Sequence, residues 1–218
     1  MNDIQQYPIT IALIIANVII SLMALNNHDV MSRTIMWPYG VKRHRQYYRF
    51  ITSGFLHADY IHLFFNMFTL FFFGRIVEVI FTAYGLGGKI SYIALYFLAL
   101  IISDIPSYLK HRDNYNYQSL GASGAVSAVV FAAIVFNPWS SIYIYGAIKI
   151  SAFVYGVLYI IYCVAMARRG GDHINHDAHL WGSLFGLGFT IALIAAMQPI
   201  LFDFILEQLK HPSLFGRG

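Results

Sequence analysis

Residues 121–136 read GASGAVSAVVFAAIVF, a short apolar stretch with small residues around Ser123. A transmembrane helix needs about 20 apolar residues, whereas Asn137-Pro138 ends this stretch early. The pattern predicts a short helix inside a ring of longer helices, with Ser123 at its start on the floor of a cavity. The irregular lead-in Gly121-Ala122 agrees with this, because non-helical backbone at membrane depth is tolerated only beside a cavity or inside the protein.

Composition places the whole chain in a membrane. Of 218 residues, 58% are hydrophobic and 11% charged, against about 25% charged in soluble domains. We therefore expect an all-α, polytopic helical bundle forming a single domain over residues 1–218, with the lipid bilayer as its main partner. The predicted spans are 8–25, 57–83, 90–106, 123–136, 142–166 and 178–197. The first is interpreted as a retained span, because it lacks the basic start of a signal peptide.

Other classes are disfavoured by the charged residues and the cysteine. The basic residues are scattered between apolar blocks, so no nucleic-acid-binding patch is expected. Cys163 is the only cysteine, which excludes an intramolecular disulfide framework. The segment 30–55 interleaves aromatic residues with Arg and Lys, a pattern typical of an interfacial loop in the headgroup zone. Such a loop has either no further role or a structural role beside the active site.

Polar residues in the predicted spans point to chemistry, because they are costly in lipid. Ser123 and His179 each open an apolar stretch, and His62 and Asn66 share one helix face at a spacing of four. Two hydrogen-bond donors on one face are suited to stabilising a developing negative charge. The alternative is that they only hold helices together, a contribution of about 0.6 kcal/mol for each interhelical hydrogen bond.

Small residues on two spans predict how Ser123 and His179 meet. Gly182 and Gly186 are four residues apart, and Gly121 and Gly124 form part of a matching face. Such faces let two helix backbones approach closely, which would bring His179 to Ser123. An ordinary glycine interface with an incidental histidine remains the alternative.

A histidine-ligated metal protein is the competing hypothesis. His173, His176 and His179 recur every three residues, and histidine clusters bind metals. The chain contains no HExxH motif and no paired cysteine ligands, so the metal hypothesis ranks below the serine–histidine one.

Several motifs together resemble the rhomboid intramembrane serine proteases in their six-span bacterial form. The likeness runs from Tyr48 to Gly188 and comprises Arg49, His57-x4-His62-x3-Asn66, Gly74-Arg75-Ile76-Val77-Glu78, Gly121-Ala122-Ser123-Gly124 and Ala178-His179-x2-Gly182-x3-Gly186. The resemblance implies a Ser123 nucleophile and a His179 general base. It also implies an oxyanion hole from His62, Asn66 and the Ser123 N–H.

The same resemblance implies the remaining properties. The structural residues would be Arg49, His57, Gly74, Glu78, Gly121, Gly124, Gly182 and Gly186. No metal or other cofactor is expected. The substrates would be transmembrane segments of other proteins, cut in the cell (inner) membrane by a multi-pass enzyme whose site opens to the extracytoplasmic side. A non-catalytic, client-binding relative is the alternative function, although such relatives usually lack the serine or the histidine.

The chain departs from the family at three points. Tyr48 stands before Arg49 where Trp is frequent. Ser127 stands where an aromatic usually packs on the catalytic imidazole, so the ring is expected to be held by Trp181 or by a hydrogen bond. Family topology would also place nine Lys and Arg residues outside and five inside, against the positive-inside rule. An embedded first loop would account for that distribution.

Overall fold

The N-terminal third of the chain contains one long helix and a compact connecting segment. The computed structural model describes residues 3–144, 147–171 and 174–216. Helix α1 (Pro8–Leu25) has Pro8 in its first turn and keeps the predicted bounds. The predicted interfacial loop folds as α2 (His28–Thr34), α3 (Pro38–His44), α4 (Arg49–Thr52) and the 3-10 turn Ser53–Phe55.

Helices α5 (Tyr60–Ala83) and α6 (Gly88–His111) follow as an antiparallel pair. The predicted start at His57 is wrong, because Asp59 is the N-cap and its carboxylate accepts the His62 N–H at 2.7 Å. The predicted end at Pro106 is also wrong, since the helix runs five residues beyond it. Proline removes a single backbone donor, and Phe50 packs on Tyr108 in the extra turn.

Helix α7 (Ser123–Phe136) is the short central helix and has the predicted bounds. All of its residues from Gly124 to Phe136 are buried. Its neighbours are α5, α6 and α9 (His176–Met197), with α8 (Ala152–Arg169) lying against one side. The hydrophobic core therefore surrounds α7 on most sides and leaves its N-terminal end near the cavity described below.

The predicted fifth span is wrong at its start. Strands β1 (Ser141–Ile144) and β2 (Ile148–Ser151) pair antiparallel there, with Ile142 opposite Ile150. Helix α8 begins only at Ala152, where the Ser151 hydroxyl accepts the Val154 N–H. The stretches SIYI and IKIS alternate with a period of two, a strand pattern that their high hydropathy conceals.

Helix α9 starts two residues before the predicted 178, because the Asn175 side chain caps it by accepting the Ala178 N–H at 3.1 Å. A final helix, α10 (Leu201–Leu209), returns to the base of α7, where the Gln208 side chain donates to Phe136 O at 3.1 Å. Within the described residues, α1, α5, α6, α8 and α9 are long and apolar enough to cross a membrane, and α7 is shorter. The protein is an all-α, multi-pass membrane bundle.

Candidate active site

Ser123 and His179 lie in direct contact. Ser123 is the first residue of α7 and His179 lies in the first turn of α9. The distance from Ser123 Oγ to His179 Nε2 is 2.7 Å, within the range for proton transfer between a nucleophile and its base. Both residues are partly exposed, so solvent can reach the pair.

Glycines on α7 and α9 make that contact possible. A Cβ on Gly182 would collide with the Gly124 carbonyl, and a Cβ on Gly186 with the Ala128 carbonyl. The two helices thus touch backbone to backbone along one face. On the other side of α7, a Cβ on Gly124 would stand 2.7 Å from Ser103 Cβ. The predicted faces pack together at Gly124 and Ala128, whereas Gly121 lies against His62 instead.

The imidazole of His179 lies against an aromatic ring from another helix. The Tyr159 ring of α8 stacks on it at a centroid distance of 6.3 Å and an interplanar angle of 19°. The hydroxyls of Tyr159 and Ser127 are 3.1 Å apart. Ser127, which replaces the usual aromatic residue on α7, therefore anchors the Tyr159 ring of α8 by a hydrogen bond. Trp181 is 44% exposed and the expectation that it supports the imidazole is not met.

His62 presents a donor beside Ser123. The Ala58 N–H donates weakly to His62 Nδ1 at 3.4 Å, which favours the tautomer with the proton on Nε2. Gly121 has φ +128°, and a Cβ there would stand 3.3 Å from His62 Nε2 and 3.6 Å from Ser123 Oγ. A side chain at 121 would be strained and would fill the space between the donor and the serine.

Asn66 lies one turn further along α5 and lines the same cavity. Its side-chain amide donates one hydrogen to His62 O at 3.0 Å, and an amide nitrogen carries two. The N-terminus of α7 adds backbone donors, since within the described residues no side chain caps it. The helix dipole also favours negative charge at this end.

A cavity of about 660 Å³ joins these groups, within the usual range for ligand sites. Ser123, His179, His62, Asn66 and Tyr159 all line it. Its remaining walls combine apolar side chains of α5, α7 and α8 with residues of the connecting segments, among them Asp59, Gln118 and Asn175. The arrangement brings a serine hydroxyl, an imidazole and converging hydrogen-bond donors to one partly open cavity.

Hydrogen bonds from the Arg49 side chain stabilise the connecting segment beside the site. This side chain is 3% exposed and donates to Ser32 O at 3.0 Å, to Ile35 O and to Gln46 Oε1 at 2.7 Å. Burial lowers the pKa of Arg49 from its ordinary value. Arg49 thus holds α2 and α4 together from inside the segment.

Glu78 and Gly74 fasten α1 to α5. The fully buried Glu78 carboxylate accepts the N–H groups of Ile9 and Thr10 and the Thr10 hydroxyl, at 2.8–2.9 Å. A Cβ on Gly74 would stand 2.9 Å from the Thr10 methyl carbon of α1 and 2.5 Å from the Tyr92 hydroxyl of α6. These contacts lie away from the Ser123 cavity and position α1.

His57 supports His62 from behind. Its side chain is fully buried, Ser21 Oγ is 3.0 Å from its Nδ1, and its ring meets the His62 ring edge-on at 5.0 Å. Burial, followed by the charge that His62 would carry, lowers the pKa of His57 to about 3. The ring is therefore neutral at physiological pH.

A polar network at the start of α9 is absent from the sequence-based prediction. Asn175 accepts from the Ser107 hydroxyl at 2.8 Å and its amide lies 3.5 Å from Asp104. This network fixes the turn that carries His179. The capping pattern of Asn175 was a usable signal, whereas its α6 partners were not recognisable without the fold.

The histidines of the metal hypothesis are only partly brought together. The ring centroids of His176 and His179 are 5.9 Å apart, and Cys163 of α8 adds a third possible ligand close to both. His173 lies outside the described residues. His57 and His62 are in contact with each other and do not belong to this cluster.

The Rhomboid domain family model matches residues 44–196. The chain belongs to the rhomboid family. It is 27% identical to the mitochondrial RHOMBOID-like protein 12 of Arabidopsis thaliana, over 84% of this chain and 57% of that one. It is 30% identical to the human mitochondrial presenilin-associated rhomboid-like protein, over 64% and 36%, and 29% identical to the chloroplastic Rhomboid-like protein 11 of Arabidopsis thaliana, over 75% and 58%. The matched part of the chain thus spans between about one third and three fifths of these relatives.

Proposed function

We propose that this rhomboid is an intramembrane serine endopeptidase that cuts transmembrane segments of other proteins with Ser123 and His179. The observation that carries the proposal is the 2.7 Å contact between Ser123 Oγ and His179 Nε2 at a cavity wall. Placing a serine and a histidine within the thickness of the membrane costs free energy. A role as nucleophile and base explains the presence of both residues.

In the proposed reaction, Ser123 Oγ attacks a peptide carbonyl while its proton passes to His179 Nε2. The negative oxygen of the tetrahedral intermediate receives hydrogen bonds from His62 Nε2–H, the second Asn66 amide hydrogen and the Ser123 N–H. His179 then protonates the leaving amine, and water cleaves the acyl-enzyme with the same base. The atoms balance without a metal or another cofactor.

The proposed mechanism uses a dyad of Ser123 and His179. In it, packing against Tyr159 orients the His179 imidazole. Asp177, the nearest acid along the chain, is ion-paired with Lys110 at 3.2 Å. The Tyr159 ring lies nearly parallel to the imidazole and restricts its rotation. The mechanism requires a neutral resting imidazole, as a general base must be.

The substrate route follows from the exposure of α8. Only a small part of this helix is buried, and Tyr155 and Tyr159 on its inner face line the cavity. We propose α8 as the wall that admits a substrate helix from the lipid. Because a peptide bond in an intact helix is shielded, substrates with helix-weakening residues near the cut are expected.

We also propose that the site opens to the extracytoplasmic side of an inner membrane, within one domain. Support comes from the connecting segment, where the Arg49 side chain is buried and Lys42 contacts Asp113 at 2.6 Å. Such a packed segment differs from the free loops to which the positive-inside rule applies.

The test is cleavage of a labile transmembrane substrate by purified protein in liposomes. Wild type should cut it, and Ser123→Ala should abolish cutting, while a chelator leaves the rate unchanged. Cutting that survives Ser123→Ala, or that the chelator stops, would refute the serine mechanism. Failure to cut any substrate of a broad panel would favour the client-binding alternative.

A further inference from the structure

A group of three side chains with possible metal ligands includes the proposed base His179. Cys163 of α8 and His176 and His179 of α9 offer ligand atoms that all lie within 4.8 Å of one another. Cys163 is fully buried and His176 is 3% exposed. We propose that these three residues form an inhibitory Zn²⁺ site that switches off the Ser123–His179 pair.

The donor set fits zinc. One thiolate and two imidazoles are the ligands that Zn²⁺ takes in tetrahedral sites, with a fourth position left for water. Zinc–sulfur and zinc–nitrogen bond lengths put such ligands about 3.3–3.6 Å apart. Ligand atoms now within 4.8 Å reach that geometry by side-chain movements of about 1 Å. Hard ions such as Mg²⁺ prefer oxygen ligands and would be excluded.

The positions on the helices make the group convergent. His176 and His179 are three residues apart on α9, and their rings meet at 80° with centroids 5.9 Å apart. Cys163 faces them from α8, one turn after Tyr159, which stacks on His179. The cavity, lined by both Tyr159 and His179, supplies the route for the ion.

Metal binding would disable the base whichever ring nitrogen is used. A neutral imidazole has one nitrogen lone pair. If Zn²⁺ binds Nε2, it displaces the Ser123 hydroxyl. If it binds Nδ1, the proton resides on Nε2 and that atom can no longer accept from serine. Binding also replaces the Cys163 thiol proton, which leaves to solvent, so affinity should fall in acid. No electron is transferred.

A bound ion would also link helices α8 and α9. Its ligands come from α8 and α9, so Zn²⁺ would join the proposed substrate wall to the helix that carries the base. Inhibition thus rests on the proposed function, whereas binding does not.

The test separates binding from inhibition. Purified wild type, without substrate, is titrated with Co²⁺ as a spectroscopic probe, and competition with Zn²⁺ gives its affinity. One equivalent with a thiolate-to-cobalt absorption band is expected. Cys163→Ala should lose the band and weaken Zn²⁺ binding at least about 100-fold, while His28→Ala, at an exposed histidine, should change neither. No stoichiometric binding, or a band that persists in Cys163→Ala, would overturn the proposal.

Inhibition is then measured on the cleavage assay. Saturating Zn²⁺ should slow wild type about 100-fold or more, as loss of a general base does, and a chelator should restore it. Cys163→Ala should cut at the wild-type basal rate and resist Zn²⁺. Equal inhibition of both proteins would overturn the site. A protein that binds zinc at Cys163 but cuts nothing would refute only the protease function and, with it, the inhibitory consequence.

Discussion

The contact between α7 and α9 makes a quantitative prediction about Gly182→Ala. The new Cβ would lie 2.8 Å from the Gly124 carbonyl carbon and 3.0 Å from its Cα, whereas ordinary contact begins at 3.4 Å. The shortfall of 3.4 − 2.8 = 0.6 Å is a minimum, because the carbonyl oxygen is closer still. Backbone lies on both sides, so no rotamer change relieves the clash and α9 must withdraw.

His179 is one turn from Gly182 and should move with α9. A withdrawal of 0.6 Å lengthens the 2.7 Å Ser123–His179 contact to about 3.3 Å, beyond the productive range. Misplacement of about 1 Å costs about 100-fold, so we expect kcat to fall about 10- to 100-fold. The assay is cleavage of a labelled transmembrane substrate at saturating concentration in liposomes.

Gly188→Ala is the matched control on the same helix. A Cβ at 188 meets no heavy atom within 4 Å, and alanine should stabilise the helix by about 0.5–1 kcal/mol. Its kcat should equal that of wild type. Wild-type kcat in Gly182→Ala, with an unchanged melting temperature, would refute the argument that this backbone contact positions His179.

Further predictions test the neighbouring groups. Tyr159→Phe should keep kcat within about threefold of wild type, whereas Tyr159→Leu should lower kcat about tenfold, because stacking of an aromatic ring contributes about 0.5–1.5 kcal/mol. Equal losses of kcat in the two variants would contradict the stacking role of Tyr159. Asn66→Ala should lower kcat about 100- to 1,000-fold with little change in KM, and a pure KM effect would exclude an oxyanion donor. Glu78→Gln should destabilise the protein by at least about 2 kcal/mol, read as a lower melting temperature, whereas the exposed Glu207→Gln should not; equal melting temperatures would contradict the capping of α1. The pKa of His57 is about 3 when folded against about 6.5 unfolded, so stability should fall as pH drops below 6.5, by about 2 kcal/mol at pH 5, and His57→Gln should lack this dependence.

Local signals made the helix ends at Pro8 and Phe136 predictable. Proline in a first turn and Asn-Pro after a last turn act through the backbone of their own residues. The helix end predicted at Pro106 was wrong, because packing around α6 offsets the loss of the single backbone hydrogen bond that this proline removes. The strand pair before α8 was missed because hydropathy alone cannot distinguish a short apolar strand from a helix segment.

The proximity of Ser123 and His179 could be inferred because glycine spacing encodes backbone approach. The stacking of Tyr159 on His179 could not be inferred, because it depends on how α8 packs against α9. The spacing of residues within either helix does not determine that packing. The same limitation applies to Cys163. Its role depends on a partner helix, and in sequence it is one cysteine in an apolar stretch.

Reaction of the protein with a fluorophosphonate tests the central claim most directly. Such a probe bonds covalently to a serine oxygen that a base has activated. We predict a single adduct that mass spectrometry locates on Ser123, lost in His179→Ala at unchanged melting temperature. An adduct that forms equally in His179→Ala, or none on Ser123 in a folded wild type that cuts substrate, would contradict the Ser123–His179 mechanism.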